Sequence, residues 1–149
     1  FSGAANKASA DDYLKTNYAD WTITGKLGQT YGGYLGFGRS GDKTSAITSS
    51  QITTADEFTV KVVLKGNGSN GVMTSTLTFT LVDENGTVIA TGYAGGVSAI
   101  CPPDAKDTTY SISFTFVEGK TWTDVSNLKI SFAKTTGNIG MKSLEFVQA

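Results

Sequence analysis

The chain carries no histidine, which removes the commonest general base and the commonest metal ligand together. Acid–base chemistry would therefore fall to carboxylates, two of which can hydrolyse a glycosidic bond without an imidazole. The acids are Asp11, Asp12, Asp20, Asp42, Asp56, Glu57, Asp83, Glu84, Asp104, Asp107, Glu118, Asp124 and Glu145. Nearly all fall in turns or at strand ends, where an acid hydrogen-bonds its own backbone. None is expected mid-strand, where burial would raise its pKa for proton transfer. There is no G-x-S-x-G and no Cys/His pair, and Gly66–Gly71 (GNGSNG) lacks the Lys and following helix of a phosphate loop. Cys101 is the single cysteine; it has no partner for an internal disulfide and reads as a small buried apolar side chain. These residues do not read as a catalytic set.

Sugar recognition asks for something else. A pyranose offers an apolar C–H face to an aromatic ring, and its hydroxyls need amide, carboxylate or ammonium partners. Most Phe residues fall at inward positions of strands, and Trp21 reads as core. That leaves Tyr31, Tyr34, Tyr93 and Trp122 as candidate platforms. Tyr34 shares a strand face with Gly36 and Gly38, whose missing side chains would leave a shallow groove unless that face is covered or bulged. Trp122, in the loop GKTWTD, either stands exposed as a platform or folds back to plug the end of the fold. Lys61, Lys129, Arg39 and Asn67 are candidate hydroxyl partners.

The elements that must hold these residues are strands. In Ser75–Gly92, Leu77, Phe79 and Leu81 alternate with Thr76, Thr78 and Thr80, the period of a half-buried strand. Asp83-Glu84-Asn85-Gly86 then turns the chain, and Val88 and Ile89 begin the return. Phe58, Val60, Val62 and Leu64 mark a second long strand; Tyr110, Ile112, Phe114 and Phe116 a third; Leu128, Ile130 and Phe132 a fourth. In Asn138–Val147 the apolar parity changes between Met141 and Leu144, so a bulge near Lys142-Ser143 is needed to keep Ile139, Met141, Leu144 and Phe146 in the core. Short strands are expected at Trp21–Leu27 and Ser45–Thr48. Ser9-Ala10-Asp11-Asp12 starts a short helix that ends by Tyr18. Gly95–Asp107 is a long irregular connection, of the kind that often carries function. The sum is an all-β, two-sheet antiparallel sandwich of about nine strands with one short N-terminal helix.

Length fits one domain over residues 1–149, with residues 1–8 a tail or linker. The net charge is −1 with no basic stripe, which argues against nucleic acid. No apolar run approaches a membrane span. The chain opens at Phe1, as a mature fragment or excised module would.

With those elements in place, GGYLGFGRSGDKTSAITSSQI, EFTVKVVL, the DENG hairpin and LKISFAKTTGNIGMKSLEFVQA together resemble a jelly-roll module of secreted bacterial proteins. The closing strands are similar to those of galactose-binding-like and carbohydrate-binding β-sandwiches, over roughly Trp21 to Val147. The resemblance implies a jelly roll, and a structural calcium held by acids near the first and last strands. Lys142 and Ser143 stand where some relatives place an acidic ligand, and Asp11, Asp12 and Glu145 remain as oxygen ligands for a possible calcium. No other cofactor is expected.

The reading is a non-catalytic carbohydrate-binding module that recognises a polysaccharide or glycan. It would be tethered to a catalytic or surface-anchoring module of an extracellular protein. A structural or adhesive β-sandwich that binds another protein is the alternative, and a glycosidase the third. An exposed, unpaired edge strand would favour the alternative.

Overall fold

The computed structural model describes residues 1–53 and 56–148 and shows an all-β sandwich with one short helix. Helix α1 (Ala10–Asn17) precedes strands β1 (Thr22–Thr24), β2 (Leu35–Phe37), β3 (Thr44–Thr48), β4 (Phe58–Asn67) and β5 (Thr76–Val82). Then come β6 (Val88–Tyr93), β7 (Ala99–Ile100), β8 (Thr108–Phe116), β9 (Asn127–Ala133) and β10 (Asn138–Gln148). The addition to the expected strands is two-residue β7, which lies inside the Gly95–Asp107 connection and pairs with β5.

The strands pair antiparallel in the order β1-β3-β9-β5-β6-β8-β4-β10-β2. This sheet curls into two layers because β8 serves both. Its residues Ser113–Phe116 pair with β6, and Thr108–Ile112 pair with β4. Between the layers lie Leu77, Phe79 and Leu81 of β5, Val60, Val62 and Leu64 of β4, and Leu128, Ile130 and Phe132 of β9, all buried. Phe37 of β2 meets Phe132 across the layers, with ring centroids 5.9 Å apart. The period-two pattern thus does what it must: one face of each strand is removed from water, at roughly 25 cal/mol per Å² of apolar surface.

The hairpin turn closes through Asp83 N to Thr87 O at 2.9 Å and Gly86 N to Asp83 O at 3.0 Å, with Gly86 at φ 79°. That conformation favours glycine because a Cβ would be strained there. Ser9 caps α1, its hydroxyl accepting from Asp12 N at 3.2 Å.

Five expectations change. Residues 1–8 are not a loose tail: Ala4 is buried, Lys7 N donates to Thr30 O at 2.9 Å, and the Phe1 ring packs edge-on against Tyr13 and Tyr18. Short polar residues gave no periodicity to read there, because the segment docks through single contacts. The register does shift between Met141 and Ser143, and Ile139 and Met141 are buried, but the bulge does not carry all four apolar residues inside. Phe146 remains 44% exposed because its segment of β10 lies beyond β2, which covers Ile139–Met141. Phe114 and Phe116 point inward but are half-buried at the end of the core. Cys101 is exposed, its thiol donating to Met73 O at 3.1 Å. Glu145 sits within β10, opposite Lys61, but on the solvent-facing side.

Candidate functional site

The outer face of the layer β4-β10-β2 has a strip of glycines on which the segment 29–34 packs closely. Gly36 of β2, Gly140 of β10 and Lys65 of β4 stand side by side in register. The two adjacent glycines are buried: the Gln29 backbone and the Tyr31 ring lie against Gly36, and the rings of Tyr31 and Tyr34 lie against Gly140, so this face of β2 is covered rather than an open groove. A Cβ built on Gly140 would come within 3.2 Å of ring atoms of both Tyr31 and Tyr34. The tyrosines are set by a tight turn through Gly32 and Gly33: Tyr34 N donates to Tyr31 O at 2.8 Å, and Tyr31 N to Tyr34 O at 3.1 Å. Gly33 lies at φ 81°, which lets the turn close.

Tyr34 is then fixed at both ends. Its hydroxyl donates to Asp107 Oδ1 at 2.7 Å, and Lys65 Nζ lies over its ring, 4.4 Å from the centroid. Lys142 Nζ stands 3.4 Å from Asp107 Oδ2. Lys142 occupies the bulge of β10, and bulges re-aim side chains. The Tyr34 hydrogen bond, then the Lys142 ammonium, holds the Asp107 carboxyl below its ordinary range, while the same bond pushes the Tyr34 hydroxyl up. Asp107 therefore stays ionised and is a poor general acid. Tyr31 is half-buried, and burial pushes its hydroxyl pKa up. Its hydroxyl and the Asn138 Oδ1 are buried without a hydrogen bond of good geometry, although the Asn67 and Asn138 amides lie beside the Tyr31 hydroxyl.

Tyr34 and Gly32 line two adjoining grooves. One, of ≈ 320 Å³, continues past Tyr31, Lys65, Asn67 and Ala105. The other, of ≈ 680 Å³, continues past Val63, Lys142 and Ser143. The arrangement presents rigid aromatic surface, ammonium and amide donors and one carboxylate around a shallow depression. Such a set can hold a polar ring with apolar faces; it holds no pair of carboxylates placed for hydrolysis.

Of the residues singled out from sequence, the structure brings together Tyr31, Tyr34 and Asn67. Arg39 lies close enough to Tyr31 to act on it electrostatically. Lys61 is on the same outer face, farther along β4, between Glu145 and Ser111 in register. Tyr93 and Lys129 belong to the other layer: Tyr93 is exposed at the end of β6 beside Ser113, and Lys129 faces Thr80 and Thr48. Trp122, in the 3-10 turn Trp122–Asp124, folds back as a plug. Its ring centroid is 4.8 Å from Phe58, 6.2 Å from Phe114 and 5.2 Å from Phe116. Sequence reasoning did not assign Asp107, Lys65 or Lys142 to the site. A signal existed for Asp107, which closes the long irregular connection, but nothing local pairs it with a tyrosine 73 residues away.

Asp11, Asp12 and Glu145 are not gathered. The Asp11 carboxylate accepts from Leu27 N and Gly28 N, Asp12 lies in the first turn of α1, and Glu145 is out on β10. Among the described residues no three carboxylate or thiol side chains are close enough to hold a metal ion. Asp83 and Asp124 cap their own turns as their placement implied, Asp83 taking Asn85 N and Thr87 N and Asp124 taking Thr121 N, whereas Asp104 takes Gly68 N of a distant loop. No helix among the described residues is long and apolar enough to cross a membrane.

No protein-family model and no curated protein matches the sequence. Solved structures do match in fold. The family 11 carbohydrate-binding module of the cellulosomal cellulase Lic26A-Cel5E of Clostridium thermocellum superposes with a TM-score of 0.51 at 12% identity, over 87% of this chain and 83% of that one. The enzymatically active domain of tailspike protein 4 of bacteriophage CBA120 gives a TM-score of 0.51 at 12% identity, over 97% of this chain. This chain spans 21% of that tailspike chain's length. At such identity the likeness is one of fold: the chain is a β-sandwich similar in architecture to a carbohydrate-binding module.

Proposed function

We propose that this chain is a non-catalytic carbohydrate-binding module, a single domain of a larger extracellular bacterial protein, and that it holds a polysaccharide against Tyr34. The observation that carries the reading is Tyr34 itself, fixed by Asp107 and Lys65 at the junction of two grooves. A ring immobilised before binding loses little entropy when a sugar stacks beside it. The fold neighbour that is a carbohydrate-binding module supports the same reading, and the ionised Asp107 supports binding over hydrolysis. The experiment is a polysaccharide panel run on the isolated chain and on Tyr34→Ala. Binding lost in Tyr34→Ala with an unchanged thermal melt supports the reading; binding unchanged in that variant overturns the site.

One observation favours the protein-binding alternative. Among the described residues, Ser143–Gln148 of β10 has a strand partner, β4, on one side alone, and Phe146 and Val147 beside that free edge are exposed. Free strand edges are templates for pairing with another chain. Concentration-dependent self-association or peptide binding, abolished by Phe146→Lys and indifferent to Tyr34→Ala, would favour it.

A further inference from the structure

Lys65 has the Tyr34 ring beneath its ammonium and, among the described residues, no carboxylate at ion-pair distance. A cation–π contact leaves the charge uncancelled. Lys142 reaches Asp107 at 3.4 Å, but that pair is exposed on both sides. Exposed pairs contribute about 0–1 kcal/mol, so the Lys142 ammonium can turn to another anion at little cost. Asp107 brings one negative charge against two ammonium groups, Lys142 at ion-pair distance and Lys65 close enough to act on it electrostatically, so the pair of cations outweighs it by one charge. Arg39 adds a further positive field on Tyr31. A chain of net charge −1 therefore gathers unspent positive charge on one glycine-floored strip. Asn67 adds an amide beside Lys65 in the same groove.

Resting on the reading of this site as a glycan site, we infer that the glycan is acidic: a polysaccharide with a carboxylate or sulfate group that sits at Lys65 and Lys142 while the sugar ring lies along Tyr34. The two ammonium groups supply charge-assisted hydrogen bonds, roughly twice as strong as neutral ones, and the Tyr34 ring supplies the apolar contact. A neutral sugar would leave Lys65 facing the groove without an ion-paired carboxylate, and Lys142 with the exposed Asp107 alone.

The test measures binding of polygalacturonate, a sulfated galactan, a neutral β-glucan and a neutral galactomannan by calorimetry. The variants are Lys65→Gln, Lys142→Gln, Tyr34→Ala and, on the other layer, Lys129→Gln, each with a thermal melt. The expected result is binding to one of the two acidic polymers, which also tells carboxylate from sulfate. Affinity should fall severalfold between about 50 mM and about 500 mM NaCl as screening shortens to a few ångströms. Lys65→Gln and Lys142→Gln should each bind about tenfold more weakly, as loss of one charged hydrogen bond implies, and Lys129→Gln should bind as wild type. Binding of a neutral polymer, lost in Tyr34→Ala yet indifferent to salt and to both lysine variants, overturns the acidic ligand and leaves the glycan site standing. An acidic polymer bound equally by all four variants overturns the location. No binding to any of the four polymers overturns both the inference and the reading beneath it.

Discussion

The Tyr34 hydroxyl donates to Asp107 Oδ1 at 2.7 Å, joining the start of β2 to the end of the long β6–β8 connection. One bond thus ties a strand at one sheet edge to a loop from across the layer, and it fixes the ring on which binding is expected to depend. Tyr34→Ala should weaken binding of the best panel glycan by about 1–3 kcal/mol, since a large apolar contact is lost and nothing replaces it. The melt should move little, because Tyr34 is half-buried at the surface and its removal leaves no enclosed cavity. Calorimetry beside a thermal melt checks both halves.

The same bond sets a pH response. Asp107 has a pKa lowered from 3.8, chiefly by the Tyr34 hydroxyl and then by Lys142. A carboxylate depressed in the folded state contributes stability that is complete above its unfolded pKa and is lost as pH falls through the folded one. The bond should therefore hold at neutral pH and fail below 3.8. The Tyr34 hydroxyl, raised above 10.0, gives the opposite limit: its contribution is complete below 10.0 and lost as pH rises through the higher folded value. Carboxyl NMR titration should place the Asp107 midpoint under 3.8, and Tyr34→Phe should move it upward. An unmoved midpoint would remove the bond's role.

Trp122→Ala should act on stability, not on glycan affinity. Its ring contacts Phe58, Phe114 and Phe116 and closes the core between β4 and β8. Since the ring is half-buried, a loss of about 2–4 kcal/mol is expected, at or below the range for buried aromatics. Phe79→Ala, at a fully buried ring, should cost about 3–5 kcal/mol. Chemical denaturation of both variants ranks them, and a stable Trp122→Ala that no longer binds glycan would reverse the assignment.

These two tryptophan and tyrosine roles show where sequence is readable. Alternation puts Leu77, Phe79 and Leu81 inside because the period of a strand is a local property, and one buried face is enough to reveal it. The parity break at Met141 exposed the bulge by the same logic. What the bulge does for Lys142 was not legible, since Asp107 reaches it through tertiary placement of an irregular loop. Trp122 could not be resolved between plug and platform, because loop residues carry no period to say which way they face. Residues 1–8 failed for a related reason: their docking rests on Phe1, Ala4 and Lys7 singly, with no repeat to announce it.

Gly140 and Gly36 give the sharpest separation of site from scaffold. They face each other in register, yet what a methyl would meet differs. At Gly36 a Cβ would lie 1.8 Å from the Gln29 carbonyl oxygen, which is backbone and cannot step aside. Gly36→Ala should therefore destabilise the fold by about 1–3 kcal/mol or more, as overpacking does. At Gly140 the Cβ would lie 3.2 Å from ring atoms of Tyr31 and Tyr34, which can swing by a few tenths of an ångström, and from the Tyr34 Cβ, which moves only with the turn through Gly32 and Gly33 that carries it. Gly140→Ala should leave the melt nearly intact and lift the tyrosines off the strip. The Tyr34–Asp107 bond then lengthens, and affinity for the glycan falls with it. The pair of variants is read by melt and calorimetry together. Loss of affinity in Gly140→Ala at preserved stability is the expected outcome; full affinity in that variant would mean that the ring positions set by the glycine floor do not matter to binding.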